Sequence, residues 1–512
     1  MWTQHTERST RRAIWCAAIA LLAVAATSLR AITLSESLWL DELHTSWAVT
    51  GSFSDVLPRA AEGNQAPLYF LIQWFIVRLL GQHEWSLRLL SLLSGTAFVL
   101  GIVWITRRWT HSRSLAWLAG LIACVDPHAI FFAREARPYA LLQVLALLYI
   151  EATRQRWRHP TVGNRIRIVL LAWLLFFTHY TAALLIASPW YVLVRRRRYL
   201  TDYAQLAVDH LVILCGMLCA WPALRTIGLR RDNWAQFVRP QPLTSLWTLF
   251  PCSRYLVPAL LSVILAKALG GGNVTTRRRR QVGVVLTSAS LIYLMPLVAA
   301  WGATQADLAR LYFRRYVIVA EIGLFVLAAG SGMLLVTRRQ RLGHAAIVGV
   351  AVAWMTALRM GSSVWQHSHE DWRAAVRLVN DQVSAAQVDG PRLVLLRAGL
   401  IEDAQLALEN QDSRLVEYCR FPLAGIYQIR SLSSDHNDDA HVVPLSSRKL
   451  ADWRAEWQRE VDEHGHVWVF YRGGQEAAQG LVDHWLGSAK NCTMESYSFD
   501  GVTVIHVRAE QP

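Results

Sequence analysis

Apolar runs of membrane-spanning length recur through the first 360 residues, and the polar stretches between them alternate between arginine clusters and mixed loops. A bilayer core takes about 20 consecutive apolar residues as a helix. Runs of that kind, or nearly so, fall at residues 13–32, 84–105, 115–132, 139–150, 166–177, 181–194, 206–224, 247–269, 282–301, 316–336 and 345–360. The pattern predicts about eleven spans. Residues 67–80 are aromatic and aliphatic but short, and Gly81 ends them, so they read as an interfacial helix in the first external loop. Counting them as a span would put every later arginine cluster on the wrong side.

Six span ends carry arginine clusters: Arg8, Arg11 and Arg12; Arg107, Arg108 and Arg113; Arg154, Arg156 and Arg158; residues 195–198; residues 277–280; and Arg338, Arg339 and Arg341. Their spacing matches every second loop, and basic loops stay cytoplasmic. The amino terminus is therefore expected inside, the first helix uncleaved, and the tail outside. From residue 362 the period changes. Helices are predicted over 371–386, 401–409, 449–463 and 476–486. Strands are predicted over 392–397 and 467–471, with a terminal strand pair over 496–508 turning at Asp500-Gly501. The alternation predicts a small α/β domain. The expected architecture is a polytopic α-helical membrane protein, residues 1–361 with a first external loop at 33–83, followed by a soluble extracytoplasmic α/β domain at 362–512.

Composition agrees with that division. Of 512 residues, 53% are hydrophobic and 23 are Trp, too apolar for an ordinary soluble protein. The net charge of +15 splits unevenly: residues 1–361 hold 38 Lys+Arg against 15 Asp+Glu, while 362–512 hold 14 against 22. A basic membrane part joined to an acidic soluble part fits orienting loops and anionic lipid, and excludes a nucleic-acid binder. The seven Cys show no CxxC pair and no metal spacing. Cys419 and Cys492 share the tail, where an extracytoplasmic disulfide is compatible with the topology.

Topology then sorts the charges. Cytoplasmic arginines are accounted for by orientation, but Arg88, Arg134, Arg137, Arg230, Arg231, Arg310, Arg314 and Arg315 map to the outer face. A guanidinium binds phosphate oxygens bidentately and stays charged when partly desolvated, which suits the headgroup of a lipid-linked phosphate. Snorkelling to lipid headgroups is the other use of such residues. On the same face Asp41 and Glu42 follow the first span in the stretch Leu38-Trp39-Leu40-Asp41-Glu42. Acids at that depth mark function or, more simply, the start of an interfacial helix. In a sugar transfer Asp41 would deprotonate the acceptor hydroxyl, and Glu42 would orient the acceptor or help hold a cation. The pair is compatible with a hard divalent metal, although no second cluster supports one, and no cofactor is assigned. His128 and His179 fall at outer turns as candidate contacts to substrate or metal, and Glu135 lies between two arginines. Trp39, Trp47, Trp85, Tyr180 and Trp234 suit an interfacial belt.

These residues resemble the polytopic GT-C glycosyltransferases, in the branch of protein O-mannosyltransferases and lipid A aminoarabinose transferases. Leu38-Trp39-Leu40-Asp41-Glu42 is similar to that branch's acidic motif, and Pro67-Leu68-Tyr69-Phe70 followed by Glu84-Trp85-Ser86-Leu87-Arg88-Leu89 to its next signature. Glu135-Ala136-Arg137-Pro138-Tyr139-Ala140-Leu141, Arg315-Tyr316 and Asp371-Trp372-Arg373-Ala374-Ala375 resemble motifs of bacterial members. The resemblance covers the first 360 or so residues best. It implies a polyprenyl-phosphate sugar donor, an envelope acceptor outside the cytoplasmic membrane, inversion at the anomeric carbon, and Asp41 as the catalytic carboxylate. Arg88, Arg134, Arg137, Tyr139, Arg314 and Arg315 form the expected phosphate-binding set. One departure stands out: Gln65-Ala66-Pro67 occupies the place of a His-Pro-Pro or Lys-Pro motif. The competing classes are a lipid-linked glycan flippase, which needs midplane charges and a broken repeat, and a non-catalytic assembly protein, which would tolerate loss of the loop acids.

Overall fold

The computed structural model describes residues 2–194, 200–270, 272, 275–360, 367, 369–386, 393–406, 413–429, 441–446, 466–486 and 492–509. The chain forms two compact units: Met1–Leu34, Asn64–Tyr69 and Arg88–Trp365 make the first, and Ser35–Gly63, Phe70–Leu87 and Gln366–Pro512 the second. The helices, in chain order, begin with α1 (Trp2–Ala31), α2 (Leu40–Ala48), α3 (Phe53–Glu62), α4 (Leu68–Leu80), α5 (Glu84–Thr110), α6 (Arg113–Val125) and α7 (Pro127–Arg134). They continue as α8 (Tyr139–Arg158), α9 (Val162–Thr178), α10 (Ala183–Ile186), α11 (Trp190–Val194), α12 (Leu200–Met217), α13 (Trp221–Leu229) and α14 (Ser245–Thr248). Last in the membrane part are α15 (Cys252–Ala268), α16 (Thr276–Gln305), α17 (Glu321–Gly330) and α18 (Arg338–Met360).

Among the described residues, five stretches are long and apolar enough to cross a bilayer: Arg12–Ala31, Glu84–Thr110, Thr201–Leu229, Thr276–Gln305 and Arg338–Leu358. A sixth is the pair α6 and α7, bent by 57°. The bend has a local cause: Asp126 breaks the helix in extended conformation, its carboxylate accepts the Ala129 N–H at 2.8 Å, and Pro127 opens the next helix. Several of the eleven expected runs are therefore shorter pieces, such as Tyr180–Val194 and Ile318–Leu334.

Residues of two of the arginine clusters pair with buried carboxylates. Glu151 is buried and accepts Trp109 Nε1 at 3.1 Å and Arg154 Nε at 2.7 Å, with Arg108 Nε at 2.6 Å. Asp209 likewise joins Arg156 at 2.8 Å and Arg165 at 2.7 Å. A buried carboxylate left alone is costly, so removing either cluster's cations strands a charge.

In this unit α17 packs closely against α16. Nine of ten α17 residues are buried, and at Gly323 a Cβ would collide with the Ala289 carbonyl oxygen and the Tyr293 backbone nitrogen. Backbone cannot yield as a side-chain tip can, and small residues are what allow such close helix approach. Gly323→Ala is expected to destabilise the protein by about 1–3 kcal/mol. Thermal unfolding in detergent checks it, and an unchanged midpoint would rule out this contact as a constraint.

The second unit is built on a five-stranded mixed sheet of β1 (Leu393–Arg397), β2 (His441–Pro444), β3 (His466–Arg472), β4 (Cys492–Phe499) and β5 (Val502–Ala509), in the order β2-β1-β3-β5-β4. β1 runs parallel to β2 and β3, and β5 antiparallel to β3 and β4. Helices α19 (Trp372–Ala386), α20 (Ser413–Arg420) and α21 (Gln475–Leu486) complete the tail. The expected helix at 401–409 is a short 3₁₀ turn, Glu402–Gln405, in its described part, and the helix at 449–463 lies outside the described residues. Cys419 and Cys492 are both free thiols. Burial, followed by the nearby acids Asp403, Glu402 and Glu62, pushes the Cys419 thiol up.

Whereas the sequence reading divides the chain at residue 361, segments 35–63 and 70–87 sit in one unit with residues 366–512. Glu370 accepts the Leu40 N–H at 3.0 Å, Trp372 Nε1 at 2.8 Å and Arg472 Nε at 2.8 Å. Tyr427 accepts the Leu38 N–H at 3.1 Å and donates to Glu84 at 2.9 Å, and Arg373 reaches Glu84 at 3.1 Å. An aromatic cluster of His44, Trp47, Tyr418 and Phe421 packs beside these bonds.

Candidate active site

Asp41 and Glu42 occupy the first turn of α2, where unpaired backbone N–H groups and the helix dipole favour negative charge. Glu42 is fully buried, and its carboxylate reaches back to the Trp39 N–H at 3.4 Å. Asp41 beside it is half-buried. Both acids therefore start a helix, and Glu42 contributes to the cap that sets the direction of this turn.

The expected phosphate-binding residues separate into two groups, with Arg314 apart from both. Arg88 and Arg134 are buried at the carboxyl end of α1: Arg88 Nη1 donates to Thr33 O at 3.0 Å and Leu34 O at 3.1 Å, and Arg134 to Leu29 O at 2.6 Å. Arg30, which the reading of the first apolar run passed over, does the same for α6, donating to Ala123 O at 3.1 Å and Cys124 O at 3.3 Å. Cations at a helix carboxyl end satisfy its last carbonyls.

Arg137, Tyr139 and Arg315 come together around His179. The His179 ring lies 5.8 Å from Tyr139 and 5.8 Å from Tyr316, and Arg315 stacks over Phe313 at 5.0 Å and Tyr316 at 5.6 Å. His179 sits in the turn after α9 with Nδ1 against Thr181 Oγ1 at 2.8 Å. Burial first, then the Arg137 and Arg315 guanidiniums, push its pKa down to about 3, so it is a neutral imidazole at physiological pH. Glu135, in the turn between α7 and α8 that also holds Arg137, is buried.

His179 and Tyr316 open onto a cavity of about 340 Å³. Leu184, Leu224, Ile227, Leu308 and Leu311 supply its apolar wall; Arg231, Arg310, Asn64 and Gln65 supply polar groups. Asn64 adopts a left-handed φ of 56°, and its buried amide atoms have no hydrogen-bond partner within the protein. An apolar pocket with a few convergent polar groups is the ordinary form of a ligand site, and this one suits an amphiphilic anion. Asn64 is not legible in the sequence, because a lone amide in a loop carries no spacing signal.

Arg314 and His128 lie elsewhere. Arg314 donates to Leu249 O at 2.9 Å, and His128 packs its ring 6.1 Å from Phe250. Among the described residues, Asp126, His128 and Glu321 bring one potential ligand atom each to within 4.8 Å of the others. Only His128 of the three was a candidate in the sequence, since Glu321 is far along the chain.

A family model described as dolichyl-phosphate-mannose-protein mannosyltransferase matches residues 64–224. The crystal structure of ArnT from Cupriavidus metallidurans in the apo state superposes with a TM-score of 0.53 at 14% identity, covering 99% of this chain and 100% of that one. The chain has the fold of that transferase structure. A second crystal structure, ArnT from the same organism bound to undecaprenyl phosphate, gives a TM-score of 0.52 at 14% identity over 96% of this chain and 99% of that chain. Comparison with curated proteins finds no match. The expected fold, a helical GT-C membrane part with a carboxyl-terminal α/β part, agrees with these likenesses. The family match begins at Asn64 and so takes in the loop residues that line the cavity.

Proposed function

We propose that the protein is a membrane glycosyltransferase that moves a sugar from a polyprenyl-phosphate donor to a cell-envelope acceptor on the outer face of the bacterial cytoplasmic membrane. The cavity carries this reading: leucines and an isoleucine line its wall, arginines line it too, and Arg137 and Arg315 approach His179 at its edge. A polyprenyl chain takes the apolar wall and a phosphate takes the guanidiniums. The undecaprenyl phosphate named for the bacterial ArnT structure is a ligand of the same chemistry.

In the proposed reaction Asp41 accepts the proton of the acceptor hydroxyl as its oxygen attacks the anomeric carbon. The anomeric carbon–oxygen bond to phosphate breaks, and the polyprenyl phosphate departs with the bonding pair. Configuration inverts. Arg137 and Arg315 place fixed positive charge where the leaving phosphate gains negative charge. Glu42, through its bond to the Trp39 N–H, keeps the first turn of α2 in place beneath Asp41. Where related motifs carry His or Lys, this chain offers the amides of Asn64 and Gln65, which suit hydroxyl groups of a sugar better than a second charge would.

The test is incubation of purified protein in lipid with a panel of polyprenyl-phosphate sugars, following release of free polyprenyl phosphate. Release with at least one donor in the presence of an envelope extract is expected. No release from any donor would count against transferase activity and favour a flippase or an assembly role.

A further inference from the structure

We propose that Asp126, His128 and Glu321 form a binding site for one divalent transition-metal cation of the zinc class. This site stands apart from the transfer reaction, and the proposal does not rest on that reading.

The first observation is placement. Asp126 lies at the break between α6 and α7, His128 in the first turn of α7, and Glu321 opens α17, so three separate backbone positions direct one imidazole and two carboxylates to a common point. The His128 Nδ1 and Glu321 Oε1 atoms are 3.6 Å apart. Two ligands at about 2.0–2.1 Å from a tetrahedral ion are separated by roughly 3.4 Å. The widest of the three separations, bounded at 4.8 Å, closes with side-chain rotation of about 1 Å.

The second observation is unsatisfied bonding. Glu321 is 1% exposed, and its Oε1 has no hydrogen-bond partner; neither has His128 Nδ1. A buried carboxylate oxygen facing an imidazole nitrogen with no proton shared between them forfeits its solvation. A cation restores it. Two arginines, Arg254 and Arg314, are the other charged groups nearby, but among the described residues no ion pair joins either to Asp126 or Glu321. Arg314 instead donates its Nε to a backbone carbonyl.

The two carboxylates are held as metal ligands are. Gln143 Nε2 donates to Glu321 Oε2 at 3.0 Å, the Ala129 N–H donates to Asp126 Oδ1 at 2.8 Å, and the Tyr255 hydroxyl donates to Asp126 Oδ2. Each such bond leaves a carboxylate lone pair available and fixes the direction of the group. One imidazole with two carboxylates selects zinc, cobalt, manganese or iron(II) over calcium or magnesium, which prefer oxygen alone. His128 is 18% exposed, which provides an entry path.

The experiment uses full-length protein in detergent, treated with chelator and titrated with Co²⁺. One equivalent should bind with visible ligand-field absorption, Zn²⁺ should displace it, and elemental analysis of the Zn²⁺-loaded protein should return one metal per chain. Glu321→Gln and His128→Gln should each weaken binding at least tenfold, and Gln143→Leu by about 10–100-fold. His44→Gln, in the other unit, should not alter it. Should one ligand variant fail to fold, the others carry the same test. Absence of saturable binding to the wild-type protein, or binding that survives unchanged in the folded variants, overturns the proposal.

Discussion

Asp41→Asn is expected to lower transfer by about 10²–10⁴-fold while leaving the protein folded and inserted. The substitution keeps the size of the side chain and its polarity at the first turn of α2, removing only the ability to take a proton. Loss of the charge–dipole attraction should cost no more than about 1 kcal/mol, too little to unfold the unit. The loss should fall on kcat at saturating donor, with KM for the donor little changed. Release of polyprenyl phosphate by reconstituted protein of matched thermal stability decides it; wild-type turnover by the variant removes Asp41 from the chemistry.

The second large effect is expected at the phosphate. Arg137→Ala and Arg315→Ala each remove a charge-assisted contact of about 1.5–3 kcal/mol, so KM for the lipid-linked donor should rise roughly tenfold to over a hundredfold. His179 cannot substitute, because burial and these same arginines hold it neutral. Once either guanidinium is gone, part of the force depressing the His179 pKa goes with it. An unchanged dependence on donor concentration in both variants would refute the phosphate role.

Much of this protein could be read from its sequence because the strongest signals are long or repetitive. Apolar runs punctuated by arginine clusters announce a polytopic membrane protein, and a strand pair around Asp500-Gly501 appears as expected, β4 pairing with β5 over Cys492–Ala509. What escaped depends on distance along the chain. Arg30 ends an apolar run and gives no hint that it will cap α6, more than 90 residues later. Glu321 looks like one acid opening an apolar helix until the fold sets it beside Asp126 and His128. The break at Asp126-Pro127 was visible as residues but was masked by the uniform hydropathy around it, so two helices read as one span. The roles of Arg88 and Arg134 at the end of α1 also needed coordinates: a guanidinium on carbonyls and one awaiting phosphate have identical sequence signatures.

The bond from the Leu40 N–H to Glu370 spans 330 positions, and that separation has a consequence for biosynthesis. At a translation rate of about 5–20 residues per second, roughly 15–65 s pass between synthesis of the two partners. During that interval the early loop lacks the later residues that pack against it, Glu370, Tyr418 and Phe421 among them. His44 and Trp47 are then without Tyr418 and Phe421, so the nascent loop is a natural client for a holdase, and a ribosome stalled before residue 370 would release a chain whose α2 never acquires its final surroundings.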